Sequence, residues 1–78
     1  MALINEKNIE KLEKHRNNIH GLVSATYTVF EQNGEKYLQI DTYGDPSRQM
    51  PEKISQSIQF DKHMAEYLIE LMRKVYDL

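Results

Sequence analysis

Seventy-eight residues make one domain whose core lies near the lower limit for independent folding. Only 40% of them are apolar and none is cysteine or tryptophan. No disulfide can compensate for a thin core, so burial between copies is the natural remaining source of stability. Ten Lys and Arg against twelve Asp and Glu, a formal net charge of −2, argue against the strongly basic class that grips duplex phosphates through counterion release.

The absence of cysteine fits a reducing compartment. The opening residues MALINEKNIEKLEK lack the apolar run of a signal peptide, and no stretch approaches a membrane span. A soluble, cytoplasmic protein with no membrane contact is expected.

In chain order, the first element reads as an N-terminal helix within residues 1–20. Asn5 is a good N-cap, and Ile4 and Ile9 are spaced as a hydrophobic staple around it. The apolar stripe is thin, with Ile9, Leu12 and then Ile19, and Asn17, Asn18 and Gly21 signal the end. Lys7, Lys11, Lys14 and Arg16 interleave with Glu6, Glu10 and Glu13, and Glu10 and Lys14 have i,i+4 spacing. That pattern reads as a solvated helix face rather than a basic patch.

From Leu22 the period changes to two, and residues 21–60 read as an antiparallel sheet. Val23, Ala25, Tyr27 and Val29 alternate with Ser24, Thr26, Thr28 and Phe30. Asn33-Gly34 follows, the strongest short hairpin signal, and predicts a type I′ turn. A two-residue loop there pairs Val29 with Leu38, Tyr27 with Ile40 and Ala25 with Thr42. Apart from Leu22, the aliphatic residues of both strands then share one face. Thr26, Thr28, Phe30, Tyr37, Gln39, Asp41 and Tyr43 share the other, and a one-residue slip would scramble the separation.

A ten-residue loop with both prolines leads to a further strand, ISQSIQF. Ile54, Ile58 and Phe60 are expected on the apolar side, with Gln56 as an intruder, and Ser55, Ser57 and Gln59 on the polar side. Asp61 is placed to cap an amphipathic helix, within residues 61–78, that runs to about Tyr76 and packs on the apolar face. Its apolar stripe is wider than one side of so small a sheet requires. The expected fold is therefore α+β: N-terminal helix, three-stranded antiparallel sheet (four strands if the long first run bends into two), C-terminal helix.

The chemistry-bearing residues point away from catalysis. His15, His20 and His63 lack metal-ligand spacing, no serine sits in a nucleophile-elbow context, and the glycines are scattered. Glu52 and Lys53 are adjacent and project oppositely on a strand, which breaks the acidic-x-Lys element of many nucleases. No enzyme activity, metal or cofactor is expected. What remains is the polar sheet face. Phe30, Tyr37 and Tyr43 offer flat aromatic surface among Thr26, Thr28, Gln39, Ser55, Ser57 and Gln59. Such a face suits single-stranded nucleic acid, with bases stacked on rings and polar groups meeting backbone or base edges. Arg48 and Lys53 are the main cations near it.

The order strand, IDTY, a loop with DP, then PEKISQSIQF and an amphipathic helix resembles the single-stranded-DNA-binding transcriptional coactivators of the positive cofactor four type. The resemblance spans roughly Ser24 to Tyr76. It implies a homodimer in which two curved sheets form a channel for single strands, with Tyr43, Arg48 and Lys53 facing the strand. It also implies that Leu68, Leu71, Met72 and Val75 serve the helix core and the dimer contact. That family has four strands before its helix and a more basic binding face. The stretch LQIDTYG…SQSIQF is also similar to a group of small bacterial proteins of unassigned function.

The leading expectation is a non-enzymatic, coactivator-like module that binds single-stranded nucleic acid as a homodimer through Phe30, Tyr37, Gln39, Tyr43, Arg48, Lys53, Ser55 and Ser57. The alternative is a protein-interaction adaptor or inhibitor, of the kind used by phage or host defence, binding a protein partner through the exposed sheet face.

Overall fold

The structure, a computed structural model, describes residues 1–44 and 53–78. Its elements run β1 (Ala2–Ile4), a single 3-10 turn (Glu6–Asn8), β2 (Ala25–Gln32), β3 (Glu35–Tyr43), β4 (Ile54–Phe60) and α1 (Lys62–Tyr76). The four strands form one sheet in the order β1-β4-β3-β2. The class is α+β, but two expectations need correction.

The first is the N-terminal helix over residues 1–20, which does not form. Asn5 does cap, its side-chain oxygen accepting from the Lys7 backbone N–H at 2.8 Å. It caps only the 3-10 turn, and the chain is extended again at Ile9. The expected Glu10–Lys14 pairing gives way to Lys11–Glu13 at 3.2 Å, a spacing that no helix face brings together. The reason is energetic: a short helix in water needs a buried face, and Ile9, Leu12 and Ile19 are too few and too far apart to supply one. Ile19 is fully exposed, as is Leu22 before β2.

The second is the sheet, which is mixed rather than antiparallel. Its fourth strand comes from the extreme N-terminus and not from a bend in β2. β1 lies parallel to β4, with Ala2 opposite Ile58, Leu3 opposite Gln59 and Ile4 opposite Phe60. Local alternation cannot reveal a strand of three residues whose pairing is made more than fifty residues away.

The hairpin stands as expected. Val29 faces Leu38, Tyr27 faces Ile40 and Ala25 faces Thr42. Asn33 and Gly34 both have positive φ, 53° and 78°, the two left-handed positions that a type I′ turn requires. β3 and β4 pair antiparallel with Leu38 opposite Phe60, Ile40 opposite Ile58 and Asp41 opposite Ser57. Between Thr42 and Tyr43 the register shifts, so Ile54 lies opposite Tyr43 while Gln56 lies opposite Thr42. The extra residue is Ser55. This bulge removes Ile54 from the row of Ile58 and Phe60, a correction to the strict alternation expected for β4.

Asp61 caps α1 as expected, its carboxylate accepting from the Met64 N–H at 2.8 Å. The helix ends in a Schellman motif, with Asp77 left-handed (φ 57°) and the Leu78 N–H donating to the Arg73 carbonyl. Burial along α1 is confined to its beginning. Met64, 1% exposed, is the single buried apolar residue among those described, and Ala65 and Leu68 are half-buried. From Ile69 onward every residue of the helix is exposed. An open groove of about 310 Å³, bordered by Val29, Leu38, Phe60, Lys62 and Ala65, separates the start of α1 from the apolar sheet face. The helix is therefore not the closed lid that its stripe led us to expect.

Candidate nucleic-acid interface

Strand alternation and the observed register place Leu3, Gln59, Gln39 and Thr28 in one row across all four strands. Beside it run Ser57, Asp41 and Thr26, and on its other side Tyr37 and Phe30. All belong to the face opposite Ile58, Ile40 and Tyr27. Among the site residues expected from sequence, Phe30, Tyr37, Gln39, Tyr43 and Ser57 thus share one surface. Ser55 and Lys53 are exposed, Ser55 within the bulge and Lys53 just before β4. Arg48, like the loop that carries it, lies outside the described residues.

The two buried strand residues among those described lie on this polar face. Asp41 is 6% exposed and Ser57 9%, whereas Tyr27 and Val29 on the apolar face keep 73% and 58% of their surface. The aromatic pair is preformed: the Phe30 and Tyr37 rings stack with centroids 5.4 Å apart and 23° between planes. Further along, Thr26 and Tyr43 share a hydroxyl–hydroxyl hydrogen bond of 3.0 Å.

Between these lies a chain that the sequence does not announce. Gln59 Nε2 donates to Gln39 Oε1 at 2.7 Å, and Gln39 Nε2 donates to both carboxylate oxygens of Asp41 at 3.1 and 3.2 Å. A buried carboxylate needs such donors to offset its lost hydration. Gln39 is therefore occupied in holding Asp41, and Gln59, expected on this face but not among the contact residues, becomes the chain's outward-facing member. Gln59 borders an open pocket of about 250 Å³ together with Leu3, Phe30, Gln32, Asn33 and Tyr37. One wall of that pocket comes from β1, which explains why sequence pattern alone missed it.

The residues expected at a dimer contact lie on α1. Leu68 is half-buried, while Leu71, Met72 and Val75 are increasingly exposed along the helix. Tyr67, Leu71 and Val75 border a further hollow with Ile9. Among the described residues no group of three or more His, Asp or Glu side chains is placed to hold a metal ion. No described helix is long and apolar enough to cross a membrane. No family model, curated protein or solved structure matches this chain.

Proposed function

We propose that this chain is a non-enzymatic module that binds single-stranded nucleic acid on its polar sheet face and works as a homodimer. The observation that carries the first part is the stacked Phe30–Tyr37 pair beside a pocket edged with the amides of Gln32, Asn33 and Gln59. A flat ring pair accepts any base on its face, and the surrounding polar groups accept backbone or base edges. Asp41 lies beneath this surface, 6% exposed, with its carboxylate accepting from Gln39. Lys53, exposed just before β4, supplies a phosphate contact.

The exposed apolar surface of α1 supports the dimer. The chain exposes 7397 Å², whereas a compact monomer of its mass exposes about 4,900 Å². The extended segment around Ile19 and Leu22 accounts for part of that excess. Leu71, Met72 and Val75 contribute to it, and a second copy of the same helix is apolar where this one is apolar. The resemblance to the positive cofactor four type points to the same arrangement.

The test is fluorescence anisotropy with labelled single-stranded and duplex oligonucleotides at low salt. Single strands should bind more tightly, with affinity falling as salt rises. Tyr37→Leu should weaken binding by about five- to a hundred-fold, the loss of one stacked base. The absence of salt-sensitive binding to either form refutes the reading. A second reading, a protein-interaction adaptor, is favoured by the net charge of −2 and the exposed apolar face. Co-purification of a stoichiometric protein partner with no nucleic-acid affinity would select it.

A further inference from the structure

The direction of the amide chain has a chemical consequence. An ionised carboxylate only accepts hydrogen bonds, so Asp41 requires the Nε2 end of Gln39. Gln39 must then turn its Oε1 toward Gln59, and Gln59 must answer with its own Nε2. The buried charge thus sets the orientation of two amides in series. What remains for the pocket is fixed: Gln59 Oε1, which no hydrogen bond engages among the described residues, and the second Nε2 proton. An acceptor beside a donor, next to the stacked Phe30 and Tyr37 rings, matches the edge of a planar heterocycle that carries an amino group next to a ring nitrogen.

We propose that this pocket reads the hydrogen-bonding edge of one base. Gln59 is the reading group, and Gln39 and Asp41 are positioning residues that fix which end of its amide faces out. The inference rests on the nucleic-acid reading above and adds to it. A pure stacking face tolerates any base, whereas this position detects the exocyclic amine donating to Gln59 Oε1. Leu3 closes the pocket from β1, so the reading position exists only because the N-terminal strand docks on β4.

The test compares two fluorescein-labelled single strands of equal length. One is a deoxyadenosine tract, and the other is a tract of the purine deoxynucleoside that lacks the 6-amino group. The wild-type chain should bind the adenine tract about five-fold more tightly, the size of one net hydrogen bond. Gln59→Leu should bind both tracts equally, at the weaker level. Asp41→Asn should erase the preference as well, because an amide at position 41 no longer dictates the orientation of Gln39, whereas Asp41→Glu should retain part of it. Thermal melts establish that each variant is folded, and Gln59→Leu, on the open side of the chain, carries the test if Asp41→Asn unfolds. Equal wild-type affinity for the two tracts, or an undiminished preference in folded Gln59→Leu, overturns the inference while leaving single-strand binding in place. No binding to either tract overturns both.

Discussion

The proposed dimer contact is the most direct feature to perturb. Met72 and Val75 keep 49% and 63% of their surface, so they contribute little to the fold of one copy. Full burial of such a side chain stabilises by about 1.5–3 kcal/mol. Covering what these two leave exposed therefore yields about 2–3 kcal/mol per protomer, and twofold symmetry brings this to roughly 3–7 kcal/mol for the pair. Replacing both with lysine removes that term and sets like charges across the twofold axis. The dissociation constant should rise at least about 100-fold. Sedimentation equilibrium over a micromolar series reads the change. Far-UV circular dichroism should stay unchanged, because lysine is a good helix former and the positions are exposed. A double variant that sediments as the wild-type dimer refutes the assignment of this face. A wild-type chain that stays monomeric at micromolar concentration refutes the dimer itself.

Four further substitutions test the fold that carries the site. Gly34→Ala should cost about 1 kcal/mol, a fall of about 4–8 °C in melting temperature, from backbone strain alone; an added Cβ meets nothing within 4 Å, and φ there is 78°. Asp61→Ala should lose about 1 kcal/mol by freeing the Met64 N–H at the helix start, visible as a lower urea midpoint with unchanged slope. Ile4→Ser, in the strand beside Phe60, should destabilise the chain and weaken oligonucleotide binding. Ile19→Ser should alter neither, since that side chain is already fully in solvent; equal effects of the two in a melt would contradict the placement of β1.

What the sequence made legible was what two local signals agreed on. Asn33-Gly34 fixed the hairpin, and one register followed in which Val29, Leu38, Tyr27 and Ile40 fall on one side. Asp61 before an amphipathic run marked the start of α1 to the residue. The failures are equally physical. Residues 5–16 carry a good cap and many helix-favouring side chains, but propensity does not hold a helix that has no face to bury. β1 is too short to show a period, and its parallel partner lies at the other end of the chain. The bulge at Ser55 follows from three-dimensional pairing that no alternation encodes. In the candidate site, residue types and their face were readable for Phe30, Tyr37, Gln39, Tyr43 and Ser57. The bonding among Gln59, Gln39 and Asp41 was not, because several partners were available to each amide and only the cross-strand register selects one.

The distribution of burial links the two halves of the proposal. In a lone half-buried sheet the aliphatic side should be the dry one, yet here Asp41 and Ser57 are the buried strand residues while Tyr27 and Val29 stand in solvent. The polar side holds its own buried carboxylate through stacked rings and a chain of amides that ends, unengaged, at Gln59. The apolar side has no such means, and only more apolar surface can cover it. A second copy covering the helix and the sheet side that Val29 and Leu38 share leaves the polar face of each protomer open. Such a pair presents two reading pockets, and a strand long enough to span both gains the affinity of a linked site without any new contact.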